Sequence, residues 1–205
     1  MSHIFDMDNP FFSIVNKMID YIFVSLLWLI FSIPIITIGV STTALYYTTN
    51  KVIRNGRGEI LPEFWGCFRS CFKQSTYFWI LFLGAFSLIY MDIMIIAKMF
   101  ESEVIQMIYK GIFFGAFFFC FFCMLYSFPY ISRFSATNKM VIFNVIFLLS
   151  RHMVKTLCIA FVSIIAIVIC GLYPAFLIFI PGVWAYIMSY IMESIFQKYM
   201  LVEQS

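Results

Sequence analysis

Five long apolar runs dominate the amino-acid sequence and limit the folds that this chain can adopt. A helix needs roughly 20 apolar residues to cross a hydrocarbon core of about 30 Å, and each run meets or approaches that length. The runs cover residues 18–38, 77–97, 108–128, 154–172 and 175–192. They predict an all-α integral membrane protein with five transmembrane helices in a single membrane domain, residues 1–205.

The composition points the same way. Of the 205 residues, 63% are apolar and only 11% are charged, whereas soluble domains are about half apolar and a quarter charged. A chain with so little charge cannot cover a globule with polar surface, so lipid must replace water over most of it. The net charge is only +3, and the basic residues flank the apolar runs, which is a membrane pattern and not a nucleic-acid-binding one. We therefore expect lipid as a partner and no nucleic acid.

Prolines predict where several of the helices begin or bend. Pro174 separates the fourth run from the fifth, at a position where a helix can begin without needing the missing N–H. The Pro181-Gly182 pair inside the fifth run predicts a kink. Asn9-Pro10 predicts the start of the first helix, with Asn9 as its N-cap.

The distribution of Lys and Arg predicts the orientation in the membrane. Ten of the thirteen lie in segments 41–76 and 129–155 or in the C-terminal tail, and the other three are Lys17, Lys98 and Lys110. Because cytoplasmic loops are enriched in these residues, we expect an outside N-terminus and a cytoplasmic C-terminus. The chain is therefore expected to cross the membrane several times.

Each long basic segment is predicted to contain an interfacial helix. In the first, Phe64, Phe68 and Phe72 recur at helical spacing and form one apolar stripe, which would lie on lipid or contact a partner protein. In the second, Asn144 and Arg151 mark the polar edge of a comparable helix.

The two segments also share short motifs. Residues 32–36 (Ser-Ile-Pro-Ile-Ile) resemble residues 127–131 (Ser-Phe-Pro-Tyr-Ile), and an Arg-x3-Lys pattern occurs at residues 69–73 and again at residues 151–155. These matches suggest a parallel internal repeat about the membrane normal, with the fifth helix added. Chance recurrence of Ser, Pro and Ile at helix ends is the alternative.

Motifs of enzyme chemistry are missing from the sequence. None of the nine glycines precedes a lysine, so no phosphate-binding Gly-x4-Gly-Lys loop exists. Asp20 and Asp92 are the acidic residues inside the apolar runs, and both lie near run ends. Asp92 is a candidate functional charge, and the alternative is an interfacial residue near Lys98. We expect no enzymatic activity, no cofactor and no metal site.

Several motifs in the first 80 residues resemble those of the YesL family, small bacterial membrane proteins of undefined function. The matching segments are Phe5-x3-Asn9-Pro10-Phe11-Phe12, Leu27-Trp28, the block P-x-x-T-x-G-x-S-x-x-A-L-Y from Pro34 to Tyr46 with Tyr47 after it, Phe64-Trp65, and residues 72–76. The resemblance implies a genomic setting beside permease subunits of carbohydrate ABC importers in Gram-positive bacteria, often for oligosaccharides from plant polymers. It also implies a location in a bacterial plasma membrane, and it supplies no catalytic or binding residues.

The block from Pro34 to Tyr46 also has a physical interpretation as a structural hinge. Pro34 would weaken the end of the first helix, and Thr37 lies inside the turn. Gly39 could adopt a left-handed conformation, and Ser41 or Thr42 could cap the next helix. A ligand-binding loop is the alternative.

These observations leave two functional hypotheses. The first is a non-catalytic accessory subunit of an oligosaccharide ABC importer that binds the permease subunits, and through them the ATPase and solute-binding protein. Gly111 and Gly115, four residues apart on one helix face, are the first candidate contacts, and internal packing is the alternative. The second hypothesis is a stand-alone transporter of a small molecule or lipid, or a divergent permease subunit. The sequence contains no Glu-Ala dipeptide, which such permeases use at the loop that grips the ATPase.

Overall fold

The computed structural model describes residues 10–99 and 102–200, which form helices joined by short connections. The seven α-helices of this part of the chain are α1 (Pro10–Ser32), α2 (Ile38–Thr48), α3 (Ile60–Met99), α4 (Glu103–Arg133), α5 (Asn138–Arg151), α6 (Met153–Leu172) and α7 (Ile180–Met200). Short 3-10 helices at Ile35–Thr37 and Pro174–Ile178 precede α2 and α7, and a π-helical segment, Thr49–Arg54, extends α2. The helix α1 begins at Pro10, as the sequence predicts, whereas Asn9 and Phe5 lie outside the described residues.

Four helices in the described ranges are long and apolar enough to cross a membrane, namely α1, α3, α4 and α6. The all-helical, multi-pass membrane class is therefore confirmed. The fifth predicted span is not among the four, because its residues are divided between the 3-10 helix after Pro174 and a more polar α7 that carries Glu193 and Lys198. Pro181 is the second residue of α7. The fifth run is interrupted just before the predicted kink, between the 3-10 helix that ends at Ile178 and α7, so Pro181 lies in a first helical turn, where its missing N–H breaks no hydrogen bond.

The helix α3 joins two elements that the sequence predicts as separate, an interfacial helix and the second span. It runs without interruption for 40 residues, a length of about 60 Å at 1.5 Å per residue. The predicted interfacial helix around Phe64 is thus the first part of the same helix that contains the second span. Residues 67–83 contain neither proline nor glycine, so nothing in this stretch ends the helix between the two parts.

The short helix α2 lies at the centre of the bundle. Eight of its eleven residues are buried, and it packs on α1, α3, α4 and α7. The indole N–H of Trp28 in α1 donates to the Thr42 hydroxyl at 3.2 Å, which shows that α2 folds back along α1. On the other side, the hydroxyls of Thr43 and Ser75 are 2.9 Å apart and join α2 to α3.

Gly39 allows α2 and α3 to approach closely. A Cβ atom at this position would lie 2.7 Å from the Trp79 Cβ and 3.0 Å from the Ser75 carbonyl oxygen. Gly39 is inside α2, and the described residues with positive φ are Gly56 and Gly58. The predicted left-handed conformation of Gly39 is therefore wrong. The glycine is needed for helix packing and not for a turn.

The connection between α1 and α2 is a compact turn. The Thr37 hydroxyl lies 2.7 Å from the carbonyl oxygens of both Phe31 and Pro34, and the Trp79 indole donates to the Ile35 carbonyl at 2.7 Å. These contacts satisfy carbonyl groups that the end of α1 leaves open. Ser41 does not cap α2, because the helix already begins at Ile38 and Ser41 is buried inside it.

The second basic segment contains a separate helix, α5, as predicted. Its buried face consists of Val141, Val145 and Leu148, and Asn144 donates to the Tyr130 hydroxyl at 2.8 Å. The opposite face exposes Phe143 and other apolar side chains. Such a helix has one apolar face on the bundle and a second that is free to contact lipid.

We expect Gly39→Val to lower the folded yield of the protein. The added side chain must displace backbone and side-chain atoms of α3, and overpacking of this kind costs about 1–3 kcal/mol. The measurement is the monodisperse fraction in mild detergent by size exclusion, together with the thermal midpoint. Gly66→Val is the matched control, because a Cβ at Gly66 has no neighbour within 4 Å. Equal yields for the two variants would contradict the close-packing role of Gly39.

Candidate functional site

A polar cavity lies where the π-helical segment after α2 meets the C-terminal ends of α4 and α7. Its volume is about 350 Å³, within the range of small-molecule sites, about 300–1,000 Å³. The side chains that line it are mostly charged or amide-bearing. They are Tyr47, Asn50, Lys51, Arg54, Asn55, Arg57, Ser132, Arg133, Glu193 and Gln197.

Glu193 is the buried carboxylate of this cavity, with only 4% of the residue exposed. Its Oε1 accepts a hydrogen bond from Asn50 Nδ2 at 2.9 Å and lies 3.4 Å from Arg133 Nε. One oxygen thus joins α7 to the π-helical segment and to the last residue of α4. Burying a carboxylate is costly unless it is paired and hydrogen-bonded, and both conditions are met here.

Arg54 fixes the π-helical segment to α7. Its Nη1 donates to the Ser189 carbonyl at 2.7 Å and lies 3.4 Å from Asn50 Oδ1. Its guanidinium also stacks over the Tyr190 ring at 4.4 Å. Asn50 therefore contacts both Glu193 and Arg54, and π-helical segments of this kind often occur at functional sites.

Lys51 and Arg57 complete the basic lining in different ways. Lys51 Nζ donates to Glu63 Oε2 at 2.7 Å and to the Tyr47 hydroxyl at 3.1 Å. These hydrogen bonds, Glu63 first, raise the pKa of Lys51 above its ordinary value, so it remains cationic. The Arg57 side chain is exposed and makes no hydrogen bond or ion pair within residues 10–99 and 102–200.

Two glycines hold Arg57 at the rim. Gly56 and Gly58 have φ values of 63° and 86°, a left-handed region that favours glycine. These glycines lie in the turn between the helical segment, which ends at Arg54, and α3, which begins at Ile60.

The cavity has a clear excess of positive charge. Its lining contains four cationic side chains and one carboxylate, an excess of three, and the excess is still two when Glu63 is set against Lys51. Burial, and then the neighbouring Glu193 carboxylate, raises the pKa of Tyr46 well above its ordinary range. The Tyr46 hydroxyl is therefore a neutral group beside this cluster.

A second cavity of about 280 Å³ is almost entirely apolar. Trp28, Trp79 and Trp184 line it, and each indole N–H is already bonded, to Thr42, the Ile35 carbonyl and Ser163 respectively. The cavity therefore presents ring faces and aliphatic groups, a lining suited to an apolar chain.

The predicted aromatic stripe belongs mainly to the interior. Phe64 and Phe68 are 0% and 7% exposed, and their rings lie 5.6 and 5.1 Å from the Phe31 ring of α1. Their assignment as contacts with a partner is therefore wrong for these two residues, because α1 and α2 already cover them. Phe72 is 39% exposed and remains on the surface.

Three other candidate residues, Asp92, Gly111 and Gly115, lie towards the end of α3 and in the first half of α4. A Cβ at Gly111 or Gly115 has no neighbour within 4 Å, so the alternative of internal packing is wrong for this pair. Asp92 is exposed and lies far along α3 from the polar cavity. The hinge residues Pro34 and Thr37 lie at the turn before α2.

Sequence reasoning missed the Glu193 cluster. Asn50 and Glu193 are 143 positions apart, and no local motif joins them. One signal was available, because Glu193 interrupts an apolar stripe that contains Met192, Ile195 and Phe196, all buried. A carboxylate next to such a stripe is unusual for a solvent-facing helix and indicates a buried partner.

We expect the charges of Glu193 and Arg133 to be energetically coupled. Glu193→Gln and Arg133→Gln should each lower the thermal midpoint, and the double variant should lose less than the sum of the two. The expected coupling is about 1 kcal/mol, since Arg133 is partly exposed and solvent screens the pair. The same cycle on Lys51 and Glu63, a more exposed pair, should give a smaller coupling. Additive losses at Glu193 and Arg133 would contradict the ion pair.

Residues 21–93 match the model of a family described as "Protein of unknown function, DUF624". The match covers the second half of α1, the following turn, α2, the π-helical segment and all but the last six residues of α3. The YesL family is a DUF624 family, so the resemblance seen in the N-terminal motifs is supported over this segment. No curated protein and no solved structure matches the chain at a significant level. Over residues 21–93, the chain is similar to a family whose function is not defined.

Proposed function

We propose that this protein is a non-catalytic accessory subunit of an oligosaccharide ABC importer, bound to its permease subunits in a bacterial plasma membrane. In this proposal it aids the assembly, stability or gating of the permease. The importer setting rests on the YesL resemblance, and the DUF624 match supports that resemblance without supplying a partner.

The structural observation that favours a partner is the uncovered surface of α3 and α4. Beyond the bundle core, these helices form a hairpin in which Phe86 and Phe117 contact each other at 5.0 Å, whereas Met107 and Phe114 are 78% and 61% exposed. At Gly111 and Gly115, on one face of α4, a Cβ would meet nothing within 4 Å, so another helix could pack closely there. Lipid alone can also cover apolar residues, so the pair of exposed glycines is what favours a protein partner.

The topology proposed for this subunit has five spans, an outside N-terminus and a cytoplasmic C-terminus. The contacts of the basic residues support one polar end of the bundle, since Arg133 in α4 contacts Glu193 in α7 and Lys155 in α6 donates to Ser194 at 2.7 Å. By the enrichment of cytoplasmic loops in basic residues, this end faces the cytoplasm. The parallel internal repeat stays part of the proposal, although α3 is continuous where α5 and α6 are separate.

Single-cysteine labelling on a cysteine-free background tests this topology. A cysteine at Arg57 should react with a membrane-impermeant maleimide only after the membrane is permeabilised. A cysteine at Ser102, between α3 and α4, should react in intact cells. The reverse pattern would overturn the orientation.

Replacing both Gly111 and Gly115 with Leu should detach the permease subunits. The open surface at both positions means that the isolated protein should fold normally, whereas the leucine side chains would prevent the close approach of a partner helix. Affinity purification from native membranes in mild detergent, followed by mass spectrometry, measures the co-purifying subunits. Gly171→Leu, at an equally open position on α6, is the control and should retain them.

Two results together would reject the accessory-subunit proposal. The native protein would purify without permease subunits, and its deletion would leave oligosaccharide uptake unchanged. The second candidate function, a stand-alone transporter or divergent permease, is favoured by the buried Glu193 in an open polar cavity. Substrate uptake by the purified protein alone in vesicles would support that candidate.

A further inference from the structure

We propose that the polar cavity around Arg57, Arg133 and Glu193 binds a phosphate-bearing anion. The chemical class is a phosphate ester, supplied either by the headgroup of an anionic lipid or by a soluble phosphate compound. This site is independent of the importer proposal, because its lining belongs to this chain alone.

The first argument is charge. The four cationic side chains of the lining exceed the single carboxylate by three, and two of the four are held in place by the fold. Arg54 is fixed by the Ser189 carbonyl, and Lys51 by Glu63. A positively charged concavity with low-dielectric walls concentrates anions, and guanidinium groups match the geometry of phosphate oxygens.

The second argument is the state of the donors. Arg57 has no partner in the described part of the chain, and Gly56 and Gly58 hold it at the rim. Arg133 contacts Glu193 only through Nε, at 3.4 Å, so its terminal nitrogens make no other hydrogen bond within residues 10–99 and 102–200. Both residues can therefore donate to an incoming anion without breaking an existing hydrogen bond.

The third argument is the mixed polarity of the lining. Asn55 and Gln197 offer amide groups beside the arginines. Of the two Glu193 oxygens, Oε1 holds Asn50 and Arg133, while Oε2 accepts no hydrogen bond from the described residues. A phosphate ester with a neighbouring hydroxyl group could use both kinds of contact, with the phosphate on the arginines and the hydroxyl on the carboxylate or an amide.

The position of the cavity makes a lipid headgroup a natural source. Arg133 is the last residue of α4, a helix apolar enough to span the membrane, so the cavity lies where that helix leaves the hydrocarbon. Lys155 near the start of α6 contacts Ser194, next to Glu193. Basic pockets at such helix ends on the cytoplasmic side bind anionic headgroups.

Native mass spectrometry of the full-length protein in mild detergent tests the proposal. The probe is short-chain phosphatidylglycerol, titrated in parallel with short-chain phosphatidylcholine, whose headgroup has no net charge. We expect phosphatidylglycerol to bind at least about tenfold more tightly. Arg57→Gln and Arg133→Gln should each weaken that binding about tenfold or more, the loss expected for one charge-assisted hydrogen bond.

Competition with glycerol 3-phosphate and inorganic phosphate distinguishes the two sources. Displacement of the lipid by either compound at a similar concentration supports a soluble phosphate ligand, and its absence supports the lipid headgroup. Arg151→Gln, which removes a charge from the end of α5 outside the cavity, should change binding less than about twofold. Equal binding of the two lipids, or equal effects of Arg151→Gln and Arg57→Gln, would overturn the proposal. Because the Arg57 side chain makes no hydrogen bond or ion pair within the described residues, its variant should fold and keep the test valid.

Discussion

The close approach of α2 and α3 is the packing contact on which the other helices of the bundle depend. With no side chain at Gly39, the backbone of α2 comes against Trp79 and Ser75, and the Thr43–Ser75 hydroxyl pair secures the crossing. The helix α2 is then enclosed by α1, α4 and α7. In a lipid environment, where burial of apolar surface supplies little force between helices, such small-residue contacts and hydroxyl pairs account for much of the association.

The same helix leads directly into the polar cavity. Its π-helical extension contributes Asn50, Lys51 and Arg54, so the position of these groups is set by the packing of α2 on α3. The link to α7 comes from Asn50 and Arg54 together, through Glu193 and the Ser189 carbonyl. A substitution that displaces α2 at Gly39 would therefore disturb the cavity as well as the core, although Gly39 and Asn50 are separated by more than two turns of helix. By contrast, the hairpin that the end of α3 forms with the start of α4 has few contacts with this region.

Hydropathy predicted the membrane class and four of the helices because the cost of leaving backbone or charged groups in lipid constrains every span in the same way. It failed where tertiary contacts decide. The helix α2 has only eleven residues, several of them Ser or Thr, so hydropathy does not distinguish it from a loop. Its burial depends on the four neighbouring helices. The continuity of α3 was missed because basic residues such as Arg69 and Lys73 suggested a boundary, yet neither residue ends a helix.

At the candidate site, the turn at Gly56 and Gly58 was predictable from local chemistry. The pairing of Asn50 with Glu193 was not, since it depends on how distant helices meet.

The burial of a carboxylate at Glu193 favours a functional role for the cavity over a purely structural one. A buried ion pair is weak evidence for stability, since apolar residues of similar volume often stabilise a protein as well or better. An apolar side chain at residue 193 would continue the buried stripe of Met192, Ile195 and Phe196. Instead, the residue is a carboxylate, and Asn50 and Arg133 contact one of its oxygens. The cationic excess beyond this pair is not needed to neutralise Glu193, because Arg133 alone balances its charge. Lys51 is balanced by Glu63, and Arg54 fixes the π-helical segment to α7. Arg57 has no such role within the described residues, and its place in the cavity lining is explained more simply by an anion that the cavity accepts than by the folding of the bundle.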